Sequence, residues 1–157
     1  MRRCRHKRGS RGFTLVELLI TIAVLGVLAS VAMPLAEVTV KRTNELELRR
    51  ALRQIRDGID RFKSEYNKAK QKAKDAKAIF KEKVTADRTG YPLTLEELVE
   101  TKILRRIPKE AMTDEGRWVT RSYSDSLDAT LTDGKDVYDV RSASTATALD
   151  GSTYDTW

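Results

Sequence analysis

An α+β arrangement, with one long N-terminal helix packed on a small antiparallel sheet, is predicted by three patterns in the 157 residues. A 21-residue run, Phe13 to Met33, is apolar except for a few small polar residues and one carboxylate, Glu17. Beyond Lys41, apolar residues recur at alternating steps of four and three, the spacing of one helical face. Near the C-terminus, two short stretches with apolar residues at every second position flank a polar, aspartate-rich loop.

The elements follow in order. Residues 1–12 hold six basic side chains (Arg2, Arg3, Arg5, Lys7, Arg8 and Arg11) and no acid, so about +1 of the net charge of +7 remains for everything after Gly12. The apolar run behind them is about 30 Å long as a helix, enough to cross a bilayer core. Basic residues in front of it orient such a span with the N-terminus cytoplasmic and the following chain exported. Pro34 closes the run; inside a continuing helix it removes one backbone hydrogen bond and favours a kink. A cleaved secretory signal is the competing reading, with Ser30-Val31-Ala32 as a small-residue cleavage site. The carboxylate, the length of the run and the helical pattern resuming past Pro34 argue against it.

The stripe Leu48, Leu52, Ile55, Ile59, Phe62, Tyr66, Ala69, Ala73, Ala76 and Phe80 predicts an amphipathic continuation of the same helix. From Ala69 it shrinks to alanine, which weakens packing and leaves the end of the helix between 66 and 83. Thr89-Gly90-Tyr91-Pro92 is a turn signal. Thr94-Leu-Glu-Glu97 reads as a capping box opening a short helix to about Thr101. Arg117–Tyr123 and Asp136–Ser142 read as the two strands, and the last fifteen residues as a polar, irregular loop. The expected organisation is a basic leader (1–12), a membrane-spanning helix (13–36), its amphipathic continuation (37–83) and a small globular part (84–157).

Charge and composition narrow the function. Residues 41–83 carry fifteen Lys/Arg against seven Asp/Glu, whereas 114–157 carry four against nine. That polarity suits pairing between copies better than a phosphate-binding face, and no groove-reading motif accompanies the basic charge, so nucleic acid is not an expected partner. Cys4 and His6 are the only Cys and His. With the leader removed, neither thiol nor imidazole remains for nucleophilic catalysis, a disulfide or a metal. Asp125, Asp128, Asp133, Asp136 and Asp139 lack the ladder of an EF-hand loop, and no phosphate loop or activated serine appears. No enzymatic activity is expected.

Glu17 is the feature that asks for a function. A carboxylate within a membrane span costs about 2.5–3.5 kcal/mol on insertion scales, so it calls for a cationic partner. The junction Arg11-Gly12/Phe13-Thr14-Leu15-Val16-Glu17-Leu18 resembles the processing site of type IV pilin-like proteins: a basic leader ending in Gly, then Phe-Thr-Leu-x-Glu and an apolar stretch, with Pro34 where relatives also have proline. The resemblance implies that a prepilin peptidase cuts between Gly12 and Phe13 and that the new Phe13 amine is methylated. Glu17 of one copy would then meet the Phe13 amine of its neighbour and set axial register in a filament.

Gly90-Tyr91-Pro92, Leu95–Val99, Leu104-Arg-Arg-Ile-Pro108, Asp136-Val-Tyr-Asp-Val140 and the closing Thr147-Ala-Leu-Asp-Gly151 resemble the globular domain of the major pseudopilin of type II secretion. Glu110-Ala111 stands where those relatives usually have Asp-Pro. The implied role is structural: an inner-membrane precursor that polymerises into a periplasmic filament helping to drive export. Implied partners are further copies, minor pseudopilins, the inner-membrane assembly platform and the inner membrane. No cofactor is required, although calcium on Asp150 and Asp155 is conceivable from the relatives. A type IV pilin of a surface fibre shares every N-terminal feature, and a membrane-anchored periplasmic adaptor is the alternative from another class.

Overall fold

The computed structural model describes residues 12–72, 76–126 and 132–157. The α+β class holds: α1 (Leu15–Lys70), α2 (Ala78–Lys83) and α3 (Glu96–Glu100) precede β1 (Trp118–Arg121), β2 (Asp139–Ser142) and a 3-10 turn at Tyr154–Thr156. The chain divides into two compact units, one up to Val40 and one from Lys41 to Trp157.

In the first unit, the start of α1 is an uncovered apolar surface. Every residue from Gly12 to Val40 is exposed, with Phe13 at 78%. Pro34 lies inside the helix rather than ending it. Its missing N–H leaves the Ser30 carbonyl without an i→i−4 donor. The hydroxyls of this unit turn inward on their own helix, Thr21 donating to the Leu18 carbonyl at 2.8 Å and Ser30 to that of Val27 at 2.7 Å. Such back-bonding satisfies polar groups that lipid would leave bare.

The second unit is organised on the rest of α1. Leu48, Leu52, Ile55, Ile59, Phe62, Tyr66 and Ala69 form its buried stripe and are joined by Phe80, Leu98, Leu104, Val137, Val140, Ala148 and Tyr154. The expected continuation of this helix to about Phe80 is corrected. α1 ends at Lys70, and Lys72 adopts φ 55°. Phe80 sits on the separate α2, its ring 5.0 Å from that of Phe62 and edge-on at 66°. In one straight helix those residues would be about 27 Å apart. The described residues of the stripe are buried, as their spacing predicts, but four-three spacing is equally satisfied by a chain that folds back. Ala69 offers too little surface to hold a straight extension, whereas turning back gives Phe80 an aromatic partner. Ala73 lies outside the described residues.

α3 also departs from its expected cap. Leu95, not Thr94, is the N-cap, and no side chain caps it. Glu97 reaches back one residue further than a capping box, accepting from the Leu93 N–H at 2.8 Å, because Lys83 and Arg88 draw its carboxylate toward α2. Past α3, Lys102 takes φ 59°, and the N–H groups of Ile103 and Leu104 both donate to the Leu98 carbonyl at 3.0 Å. That turn drops Leu104 onto Gly58 of α1, where a Cβ would stand 3.4 Å from its side chain.

The strands are shorter than the stretches that predict them. They pair antiparallel, with Trp118 opposite Ser142 and Thr120 opposite Val140. Val140 and Ser142 face the core. Glu110 is a buried acceptor: its carboxylate takes the Ser142 hydroxyl at 2.8 Å, the Thr113 hydroxyl at 2.6 Å and the Met112 N–H at 3.0 Å. The C-terminal segment is pinned along α1 by side chains about one helical turn apart. Lys41 donates to the Thr147 carbonyl at 2.7 Å, and Glu45 accepts from the Leu149 N–H at 2.8 Å and the Tyr154 hydroxyl at 2.9 Å. Arg49 pairs with Asp150 at 2.8 Å and lies 4.0 Å over the Trp157 ring.

Candidate processing and assembly site

Gly12, Phe13, Thr14 and Glu17 form one short segment at the mouth of α1. Gly12 is exposed, and no atom of the described residues lies within 4 Å of where a Cβ would sit. Packing among the described residues does not require glycine there. The physical demand for a missing side chain, if there is one, comes from whatever handles the backbone at that bond.

α1 begins two residues after Phe13, and its cap is built by a residue that sequence reading passed over. Thr14 Oγ1 accepts from the Glu17 N–H at 3.2 Å, and the Thr14 carbonyl accepts from the Leu18 N–H at 3.1 Å. Thr14-x-x-Glu17 is the threonine and glutamate spacing of a capping box, so the signal was present beside the residues singled out. The cap fixes where α1 starts and therefore places Glu17 in its first turn. Helical N–H groups there favour a negative charge, which offsets part of the cost of a carboxylate in lipid.

The offset is incomplete. Glu17 makes no ion pair among the described residues and stands among exposed apolar neighbours, Leu15 at 75% and Leu18 at 53%. Among the described residues one helix is long and apolar enough to cross a membrane, with a window of mean hydropathy 2.5 and none of that window buried. The segment therefore presents a fixed anion in an apolar surface that its own chain does not cover. Gly12 and Phe13 precede α1, Glu17 lies in its first turn, and Pro34 is more than four turns further along the same helix.

The carboxylates of the second unit are of the opposite kind. Glu45, Glu97, Glu110 and Asp136 are buried and bonded on both oxygens or by several donors. Burial pushes the Glu97 carboxyl up, but hydrogen bonds from Arg88, Lys83 and the Leu93 N–H outweigh it and hold it below the usual range. No group of three or more His, Cys, Asp or Glu side chains that suits a metal ion gathers among the described residues. Asp150 is committed to Arg49 and Ser152. One Asp155 oxygen is buried without a partner. Asp128 lies outside the described residues.

Comparison with family models finds one match: residues 7–33 fit the prokaryotic N-terminal methylation motif. It covers the end of the basic leader, the Gly12/Phe13 junction, Glu17 and the apolar half of α1. No curated protein and no solved structure matches the chain. Over residues 7–33, then, the chain carries a type IV pilin-like prepilin signal, joined to a helix of membrane-spanning length and composition.

Proposed function

We propose that this chain is a structural subunit of a secretion filament: a pseudopilin of the type II system, made as an inner-membrane precursor and polymerised in the periplasm. The observation that carries the reading is the match at residues 7–33 together with the uncovered apolar surface of α1 up to Val40. A prepilin peptidase cuts after Gly12, where no contact among the described residues calls for glycine. Cleavage and methylation leave a cationic amine on Phe13, two residues before α1. In the bilayer, Glu17 of one copy accepts that amine from the next. The pair removes an isolated buried charge and fixes axial register more than it adds net affinity. The apolar faces then exchange lipid for one another, and the basic leader keeps the N-terminus cytoplasmic until cutting.

Secretion is favoured over a surface fibre by the globular sequence motifs and by a single cysteine, Cys4, in the leader, which leaves no intrachain disulfide to close a C-terminal loop. The test is mass spectrometry of the membrane-bound chain together with Glu17→Val. The expected result is a methylated N-terminal Phe13 in both proteins, filaments from the parent and few from the variant. An intact Met1, or a start near Met33, would sink the reading. Loss of protein secretion on deleting the gene, with surface fibres unchanged, assigns the filament to export; the reverse outcome assigns it to a surface pilus.

A further inference from the structure

Asp136 is 3% exposed and ties together three segments of the second unit. Its Oδ1 accepts from the Ser122 hydroxyl at 2.7 Å and the Tyr123 N–H at 2.9 Å, and its Oδ2 accepts from the Thr89 hydroxyl. Each segment puts a tyrosine on the surface. Tyr91 and Tyr123 stack with centroids 5.5 Å apart, and Tyr138 meets both edge-on at 5.2 and 5.5 Å. Tyr123 is 62% exposed, and none of the three hydroxyls has a hydrogen-bond partner among the described residues. Lys63 lies 4.1 Å from the centre of the Tyr91 ring and Arg121 5.5 Å from that of Tyr138, which fixes the cluster from two sides. Rigid, amphipathic aromatic clusters of this kind are the usual energetic centres of protein contacts.

A complementary surface exists on the same unit. Arg42, Leu46, Arg50 and Arg53 recur at four, four and three residues along the side of α1 turned away from Leu48, Leu52 and Ile55. All four are exposed, Leu46 by half, and the arginines make no ion pair among the described residues. The stripe carries three cations and no acid. Residues 114–157, which supply Tyr123 and Tyr138, carry nine acids against four bases. Asp125, on the turn after Tyr123, is half-buried and accepts from the Ser122 and Asp133 N–H groups and from the Thr132 side chain, and its carboxylate makes no ion pair among the described residues.

The geometry points to a contact between copies: the Tyr91, Tyr123 and Tyr138 cluster of one copy docks the Arg42, Leu46, Arg50 and Arg53 stripe of a second. Leu46 seats among the rings, and the arginines stack on ring faces and meet Asp125. The two surfaces differ, so the contact is heterologous and propagates from copy to copy instead of closing a dimer. It deepens the filament reading and rests on it, adding a periplasmic contact to the one at Glu17.

The test uses full-length chain in a Cys4→Ser background, with cysteines flanking the contact rather than within it, at Glu47 and Ser126. A short bismaleimide applied to membranes should give a ladder of multimers from Glu47→Cys/Ser126→Cys. Cells making both single variants should give mixed dimers, and either single variant alone no cross-link. Arg50→Glu/Arg53→Glu and Tyr123→Ser should each lower the polymerised fraction about tenfold or more, as loss of an interface centre does, with Phe13 still exposed by cleavage. Parent-like polymer from these variants, or cross-linking from one single variant alone, overturns the inference while leaving the filament reading intact. If the unaltered chain never polymerises, both fail together.

Discussion

Replacing Glu97 by Gln isolates one charge without changing volume. The carboxylate is 6% exposed and receives Lys83 at 2.6 Å, Arg88 at 2.5 Å and the Leu93 N–H at 2.8 Å. These bonds join α2, the loop after it and the entry to α3. Removing one partner of a buried pair costs about 3–5 kcal/mol, because the other charge stays buried. Lys83 retains Glu100 at 3.6 Å and some solvent, whereas Arg88 is nearly enclosed and its Nε already lacks a partner. The cost therefore falls near the lower end, about 3 kcal/mol. For a unit of this size, that lowers Tm by about 10–15 °C. Trp118 and Trp157 both lie in the second unit, so tryptophan fluorescence of the detergent-solubilised chain reads its melting. Glu96→Gln, at an exposed neighbouring position, should change stability by less than about 0.5 kcal/mol. The acid side gives an independent check. The folded Glu97 pKa lies below its ordinary value of 4.5, so its contribution is complete above that pH and is lost as pH falls through the lower folded value. Glu97→Gln should flatten that acid limb. A melt no lower than that of Glu96→Gln, with an unchanged acid limb, would refute the reasoning.

Gly90 has φ +92°, and a Cβ there would lie 2.9 Å from Tyr66 Cδ1; Gly90→Ala should cost about 2–3 kcal/mol from left-handed strain plus the clash, seen in the same melt. Glu45→Ala strands the Leu149 N–H and the Tyr154 hydroxyl, so about 2–3 kcal/mol should be lost, and Trp157 emission should shift before Trp118 responds. Burial first, then the Glu45 hydrogen bond, pushes the Tyr154 hydroxyl up to about 12. Its contribution is complete below pH 10 and disappears as pH rises through 12, so Tyr154→Phe should flatten the alkaline limb of a stability profile. Gly12→Glu should leave uncut precursor in the membrane on immunoblots, since the substitution meets no packing among the described residues; efficient cleavage of that variant would argue against a prepilin-type peptidase.

The first unit was legible because its physics is one-dimensional. A bilayer span is written as a continuous apolar run, and a processing junction as adjacent residues, so neither depends on contacts made far along the chain. The second unit was legible only in its apolar stripe. Where that stripe leaves α1 depends on Phe62 meeting Phe80, a contact between residues eighteen apart that spacing alone does not distinguish from a longer helix. The buried carboxylates were invisible for the same reason. Glu45 and Glu110 look like solvated surface residues until Tyr154 and Ser142 are brought onto them from 109 and 32 positions away. Glu97 was noticed, but as a local cap; its partners on α2 decide its geometry instead.

The two kinds of carboxylate separate folding from assembly. Every buried acid of the second unit is satisfied within one copy, by hydroxyls, N–H groups or cations of its own chain. For these acids the unit needs no neighbour, although the Arg88 Nε and one Asp155 oxygen stay without a partner among the described residues. Glu17 is different in kind: its N–H is capped by Thr14, while its side chain has no ion pair among the described residues and stands in an apolar surface that is wholly open. Leucine at that position would serve a simple membrane anchor better by several kcal/mol. A charge kept where it destabilises the single copy has to be balanced by a state in which it is paired, and the first turn of α1 holds it close to the N-terminus that cutting at Gly12 would create. Removing Glu17 should therefore make the isolated chain more comfortable in lipid and less able to polymerise, an opposition that a purely anchoring helix does not produce.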